Sequence, residues 1–576
     1  MKGLVGFAAA TAVTVALGGA GYAWFEKSRT GCEGEPVATT VAASPDQFGV
    51  MTDLANRWTD QEHDVDGRCV AVSVVSAEPS AIAAALGSEW NAGRDRPRPD
   101  VWAPDSSVWT VVAAARGEAA ALLPQAAPSI ATSAIVLALP QPMAEALGWP
   151  DKEIGTGDLL GALAAGRTWA QLGHPEWGAM RFGMTDPTRS TAALSMLLAV
   201  IDRDRDGVVS DAELTAGVGF AGAVTRTARD TTALVDGFSK GRTPEQALAS
   251  AVAFPIDEHE LVVRGPSRAG VDLVPIYPGE ETTVADHPYV ILDAPWVDSV
   301  KTETATRFRD YLLGDEAREA YGTAGFRDPE GSARKAPNLA TELGFKAAIR
   351  PVPSRPDAAA VNQIIAQWSV LQRPINVLIV LDTSGSMNDP VPQVNMTRLQ
   401  LLQQAAVKGI GLLNSSSRMS LWQFSSKLTP TADYQELVPF VRTTSNTAPG
   451  DQRGALIQAI KGLRAKGGTG LYDTVYAAHR TIQEAWQPGA INLVIVISDG
   501  KNEDDVGLSL AELLPRLQRE RRADRPAPIL GMAVGPAADG AALMKISGAT
   551  GGRTFVTKND TDALQQIVLA FAGRLR

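Results

Sequence analysis

Residues Ile375 to Leu381 read INVLIVL, an almost unbroken apolar run that ends directly on Asp382-Thr383-Ser384-Gly385-Ser386. A run without polar alternation is what a strand buried on both faces needs, and such strands belong to parallel sheets covered by helices on each side. Two more apolar runs follow, Leu493–Ile497 and Pro528–Val534, with amphipathic text over Arg398–Leu413, strand-like text over Ser420–Phe424 and helical text over Asp562–Leu575. The second part of the chain is therefore expected to be a doubly wound α/β domain over residues 372–576. In such sheets ligands collect at the carboxyl ends of the strands. This sequence places Asp382, Ser384 and Ser386 there, Thr469 in the glycine-rich turn Gly467-Gly468-Thr469-Gly470, and Asp499 directly after the Leu493–Ile497 run. One carboxylate after each of two strands, with hydroxyls between, is a hard oxygen set that suits Mg²⁺ (or Mn²⁺) and not zinc.

The first part alternates strands and helices too. Val37–Ala43, Cys69–Val75 and Asp100–Trp102 read as strands; Gln47–Trp58 has helical spacing of Phe48, Met51, Leu54 and Trp58, and Ala81–Leu86 opens another helix. That alternation implies a mainly parallel sheet, running to about Phe326. From Arg327 to Gln372 prolines punctuate the text, so 346–371 is expected to be a linker whose helix, Ala358–Leu371, packs on the domain that follows.

Gly3–Phe25 is 23 residues without a charge. It is long enough to span a bilayer and longer than the usual apolar core of a secretory signal. An uncleaved anchor within residues 1–31 is the favoured reading and a cleaved signal the other; both export the rest of the chain, as a single-pass protein with its bulk extracellular or as a secreted one. Two cysteines in an exported chain, Cys32 and Cys69, are expected to pair. The formal net charge is −11, which excludes phosphate neutralisation and with it nucleic acid as an expected partner.

Asp202-Arg203-Asp204-Arg205-Asp206-Gly207-Val208-Val209-Ser210-Asp211-Ala212-Glu213 fills every position of a calcium-binding EF-hand loop. Asp202, Asp204 and Asp206 supply carboxylates, Gly207 the sharp turn, Val208 its carbonyl, Ser210 the ninth position and Glu213 the bidentate carboxylate. A lone hand of this kind is expected to bind Ca²⁺ weakly and to act as a structural staple.

The set Asp382, Ser384, Ser386, Thr469 and Asp499 resembles the von Willebrand factor type A domain with its metal-ion-dependent adhesion site, over about Gln372 to Arg576. The resemblance implies that the hydroxyls bind the ion directly, that the Asp residues act partly through water, and that the open position takes an acidic side chain from a protein partner. The phrases VAASPDQFGVMTDLANRW, RPDVWAPDSSVW, ATSAIVLALP, FGMTDPTRSTAAL and VPIYPGE resemble a two-lobed bacterial extracellular solute-binding protein, over 32–345. That resemblance implies a cleft in which hydroxyls and backbone N–H groups hold an anionic small solute, with Ser44, Ser106, Ser107, Thr132, Ser133, Thr188 and Ser190 as candidates.

Enzyme signatures are weak. Gly237-Phe238-Ser239-Lys240-Gly241 fits GxSxG with no apolar strand before it, Gly217–Gly222 fits GxGxxG after a helix, and the five histidines are far apart in the text. The expected function is that of an exported, membrane-anchored, non-enzymatic protein that engages a partner through the metal site. The alternative is a solute receptor for transport or sensing.

Overall fold

The computed structural model describes residues 35–556, apart from 89, 91–97, 156–158, 160, 161, 163–166, 202–209, 211, 212, 214–216, 218, 219, 221–223, 266–270, 280, 334–338, 340–342, 354, 355, 372, 392–394, 412–416, 443–451, 536 and 537. The apolar N-terminal run, Cys32 and the expected C-terminal helix lie outside the described residues. Among those described, no helix is long and apolar enough to cross a membrane.

The first domain carries β1 (Val37–Ala43), β2 (Asp64–Val65), β3 (Arg68–Ser76), β4 (Val101–Ala103), β5 (Ser133–Pro140), β6 (Phe182–Thr185), β7 (Val224–Ala228), β8 (Phe254–Asp257), β9 (Leu273–Ile276), β10 (Glu281–Ala285), β11 (Val290–Ile291) and β12 (Arg350–Pro353). They form two main sheets, one per lobe. The first runs β11-β4-β1-β3-β2, with β1 parallel to both β3 and β4. Against it, α1 (Phe48–Thr59) buries Met51, Leu54 and Trp58 of the expected stripe together with Ala55, while Phe48 is half-buried. The second sheet runs β12-β10-β5-β8, with β9 also on β5. Here the expectation of a mainly parallel sheet fails: β5 is antiparallel to β8, β9 and β10. All eight residues of β5 are buried, so its composition reads as a parallel core strand whichever way its neighbours run.

The lobes are joined around Ile130–Ser133, Ala285–Tyr289 and Phe326–Gly331. The Thr132 and Arg327 backbones exchange hydrogen bonds of 2.9 Å there. The fully buried Arg327 guanidinium also forks onto Glu258 at 2.6 and 2.8 Å. An arginine out of water needs such a bidentate partner.

The segment 346–371 is not a linker onto the second domain. Its β12 pairs with β10, and its helix buries inward. Among the first domain's further helices are α2 (Val108–Ala114), α3 (Thr191–Ile201), α4 (Glu258–Arg264), α5 (Ser299–Leu312), α6 (Asp315–Thr323) and this one, α7 (Ala358–Leu371). In α7, Val361, Ile364 and Trp368 join the first domain's core, and the Trp368 ring lies 6.4 Å from that of Phe220. Apolar spacing marks a helix that must bury one face; it does not say which neighbour receives it.

The second domain carries β13 (Ile375–Asp382), β14 (Pro390–Val391), β15 (Met396–Thr397), β16 (Arg418–Phe424), β17 (Tyr434–Arg442), β18 (Ile491–Ser498), β19 (Ile529–Ala533) and β20 (Thr554–Val556). Its main sheet runs β17-β16-β13-β18-β19-β20 and is parallel except for β17. β13 is buried throughout. Its Ile375, Val377, Ile379 and Leu381 face α8 (Arg398–Gly411), while Leu378 and Val380 face α9 (Leu471–Glu484), α10 (Leu510–Glu520) and α11 (Gly540–Thr550). That two-sided burial is why the run carries no alternation. The Nδ2 of its one amide, Asn376, donates to the Asn492 side-chain oxygen and the Ala485 carbonyl, both at 2.8 Å, while its buried Oδ1 has no partner among the described residues.

Candidate functional site

Strand order reverses at β13, which lies between β16 and β18, and the crevice at such a switch point opens at the strands' carboxyl ends. β13 delivers Asp382 there and β18 delivers Asp499 one residue past its end. The two carboxylates and the intervening hydroxyls form one chain of contacts. The Asp382 carboxylate accepts from the Ser384 N–H at 2.8 Å and from the Ser498 hydroxyl. The Ser384 and Ser386 hydroxyls are 3.2 Å apart, and Ser386 donates to Asp499 Oδ1 at 2.8 Å. The loop bearing Thr469 is drawn in by backbone bonds from Gly385 N–H to the Gly467 carbonyl and from Lys466 N–H to the Thr383 carbonyl, at 2.8 and 2.7 Å. Thr469 sits so close to the residue after Asp499 that a Cβ on Gly500 would meet its Oγ1 at 2.8 Å. All five sequence-predicted residues therefore meet at one place.

Asp382, Ser384 and Asp499 are nearly or fully buried. Burial pushes the Asp382 carboxyl up to about 6, with the Asp499 charge adding to the rise, and burial also raises Asp499. Two dehydrated carboxylates beside three hydroxyls, all oxygen donors, are an environment that a hard divalent cation relieves. The residues present fit Mg²⁺ or Mn²⁺. A side chain the sequence reading missed also reaches this place: Arg398, the first residue of α8, lies with Nη1 3.1 Å from Asp499 Oδ2. An arginine opening an amphipathic helix carries no sequence signal of that contact.

Three carboxylates not singled out in the sequence, Asp433, Asp473 and Asp504, lie with oxygens within 4.8 Å of one another on the same domain. They are half-buried, and burial raises the Asp433 carboxyl with help from the Asp504 charge.

The calcium loop falls mostly on undescribed residues: Asp202, Asp204, Asp206 and Val208 lie outside the described set. Ser210 and Glu213 are placed. Glu213 accepts from the Ser210 N–H at 3.0 Å and its hydroxyl at 2.8 Å, and the Ser210 hydroxyl accepts from the Glu213 N–H at 3.3 Å. That reciprocal pattern is a capping box. It engages the side chains of both residues before any ion is considered.

The cleft candidates are spent on the protein itself. Ser44 accepts from Gln47, the Ser106 hydroxyl points at Asp286 with the Ser107 N–H on the same carboxylate, and Thr132 donates to the Asp328 carbonyl. Ser133 donates to Asp257 and accepts from the His259 N–H. Thr188 and Ser190 close a local turn and cap α3, through Asp186 and the Ala193 N–H. The Ser107 hydroxyl has no partner and lines a cavity of about 140 Å³. The groups gathered near these hydroxyls are three carboxylates, Asp46, Asp105 and Asp257, with the imidazoles of His259 and His287. Asp46 takes His287 Nε2 at 2.7 Å, Asp105 Oδ2 accepts from Thr191 at 2.6 Å, and the His259 ring stacks 3.8 Å from Phe326. Burial opposes the Asp46 charge but the His287 imidazolium outweighs it and holds that carboxyl well below its usual range. Burial likewise opposes the His287 charge, yet Asp46 carries the imidazole up to about 9. Burial and then the Asp46 charge push Asp105 up to about 7. Histidines 28 positions apart in sequence thus share one electrostatic cluster, which their separation had hidden. Ser239 of the GxSxG pattern donates to the Val235 carbonyl inside a helix, so it is not on a nucleophile elbow.

A family model for bacterial extracellular solute-binding proteins matches residues 39–327, and one for the von Willebrand factor type A domain matches residues 376–570. Two curated relatives, uncharacterized proteins from the H37Rv and CDC 1551 strains of Mycobacterium tuberculosis, are each 24% identical over 486 residues, which is 82% of this chain and 67% of theirs. Among solved structures, a von Willebrand factor type A protein from Catenulispora acidiphila is 22% identical with a TM-score of 0.28, over 34% of this chain and 42% of that one. Iron-bound HitA from Pseudomonas aeruginosa is 16% identical with a TM-score of 0.39, over 58% of this chain and 99% of that one.

Proposed function

Because the chain belongs to the bacterial extracellular solute-binding protein family and carries a von Willebrand factor type A domain behind that half, we propose that it is an exported, membrane-anchored, non-enzymatic binding protein whose second domain engages a protein partner through a divalent ion. The observation that carries this reading is the convergence of Asp382, Ser384, Ser386 and Asp499 in one run of contacts at the ends of β13 and β18, with Thr469 beside it. Asp382 and Asp499 balance the charge of Mg²⁺ or Mn²⁺, and the three hydroxyls are neutral donors that leave the ion attractive to one more anionic oxygen. Bound there, the ion supplies a positive centre for an acidic side chain of the partner. The chain's own part is to hold the oxygens in register and keep bulk water from the carboxylates.

In this reading the first domain presents the second and does not itself carry an anionic solute. The side-chain oxygens of the cleft hydroxyls, Ser107 apart, are already engaged, and an anionic solute would meet Asp46, Asp105 and Asp257. The anchor segment, the Ca²⁺ staple at 202–213 and the Cys32–Cys69 disulfide complete the proposal. Cys69 is buried, and none of the described cysteines is free.

Asp382→Ala tests the central claim. The change removes the carboxylate at the carboxyl end of β13 and leaves the strand's apolar residues in place, so circular dichroism should be unchanged. Capture of surface partners by the full chain should need Mg²⁺, stop with chelator and be lost in the variant. Partner capture by the variant at wild-type level with chelator present would overturn the reading.

A further inference from the structure

We infer that Arg398 is a built-in counter-charge of the metal site, trading affinity for the ion against affinity for the partner's carboxylate. The inference rests on the proposed metal-site reading. Arg398 is not a surface residue that swings past: its side chain is 11% exposed, and its Nη1 lies 3.1 Å from Asp499 Oδ2, 3.1 Å from Asp389 Oδ2 and 3.4 Å from the Ser386 carbonyl. Its own N–H donates to the Asp389 carbonyl at 3.1 Å, so the loop that carries Ser386 also fixes the start of α8. Asp499 divides its two oxygens between Ser386 and Arg398. A planar guanidinium can serve several acceptors at once, which a lysine ammonium on a flexible stem does with less order.

The consequence is electrostatic. Asp382 and Asp499 carry two negative charges and Arg398 returns one, so these three groups sum to one negative charge. A divalent ion makes that sum one positive charge, and a single carboxylate from a partner neutralises it. Without Arg398 the ion alone neutralises the pair, and the partner's carboxylate arrives at a site with no net charge. The rim carboxylates Asp389 and Glu503 (the latter accepting from the Thr469 N–H at 3.1 Å) shift both sums equally and leave the difference untouched. Removing Arg398 must therefore strengthen ion binding and weaken carboxylate binding. A unit charge at this range in a partly screened site is worth about tenfold in each.

The experiment uses the full chain with Mn²⁺ as the ion and acetate as the carboxylate probe. Free Mn²⁺ is counted by electron paramagnetic resonance, and acetate binding is followed by the loss of water-proton relaxation enhancement as a water leaves the bound ion. The component of Mn²⁺ binding lost in Asp382→Asn defines this site against any other. Arg398→Gln should lower the Mn²⁺ dissociation constant about tenfold and raise that of acetate about tenfold, while Arg398→Lys stays within about threefold of wild type on both. If Arg398→Gln does not fold, Arg398→Met runs the same pair of titrations. Movement of both constants in the same direction, or of neither, overturns the inference while leaving the metal site in place. No Mn²⁺ component lost in Asp382→Asn removes the metal-site reading and this inference with it.

Discussion

His287 and Asp46 show how one pair of residues ties a fold to pH. The imidazole is fully buried and its pKa is carried to about 9, so relative to an unfolded value near 6.5 it contributes stability that is complete below about pH 6.5 and lost as pH rises through 9. Asp105, pushed up to about 7, acts in the same direction at lower pH: its charged form is disfavoured in the fold, so stability falls as pH rises from about 4 to 7. Asp46, whose carboxyl is held low, contributes stability above its unfolded value and loses it only in strong acid. The first domain's melting temperature is therefore expected to fall steadily between pH 6.5 and 9.5, by the equivalent of about 2–3 kcal/mol. Thermal melts over that range check it, and Asp46→Asn should flatten the slope. A wild-type melting temperature that is constant or rises with pH would count against the ion pair.

Two elements carry expectations of their own. The Ser210–Glu213 pair forms a capping box and would also close the proposed calcium loop, and Glu213→Gln separates the two roles. Glutamine completes a capping box as well as glutamate does, yet it cannot supply the bidentate carboxylate that Ca²⁺ takes at the last loop position. With about 10 mM Ca²⁺ and a Kd of about 10⁻⁴ M, the wild type should gain roughly 2.7 kcal/mol. The variant should keep its Ca²⁺-free melting temperature and lose that gain; a wild-type melting temperature indifferent to Ca²⁺ would dispose of the loop as a binding site. The helix α7 is the other case. Trp368 is 4% exposed within the first domain's core. Trp368→Ala should cost about 3–5 kcal/mol there, the usual range for a buried tryptophan, and leave the second domain's transition in place. Calorimetry would show which transition moves.

At the scale of the molecule, the buried clusters of the first and second domains share no residue. Calorimetry of the full chain should accordingly give two transitions, with Mg²⁺ raising only the one carried by the sheet around β13 and Ca²⁺ raising only the other. A single cooperative transition moved by both ions would mean that the domains share an interface large enough to couple them. If Cys32 and Cys69 are joined, denatured non-reduced protein has no free thiol. Reduction then lowers the first transition by about 3–4 kcal/mol, because cutting the cross-link restores freedom to the unfolded chain. Two free thiols per chain would refute the pairing.

The sequence alone determined whatever is local or periodic. INVLIVL had to be a doubly covered strand, because six of its seven residues are aliphatic and Asn376 alone is polar, and the metal constellation was legible because each of its three pieces lies beside a strand end or a glycine turn. Phe48, Met51, Leu54 and Trp58 announced α1 by their spacing alone. Tertiary structure decided what depends on neighbours distant in sequence. It set β5 antiparallel to its partners, since full burial leaves the same composition in either direction. It sent α7 back onto the first domain, since an apolar stripe names no receiver. It brought His287 to Asp46 across 241 positions and Arg398 to Asp499 across 101. Charge pairs of that kind have no sequence period: their energy depends on a distance and a degree of burial that exist only once both sheets have closed.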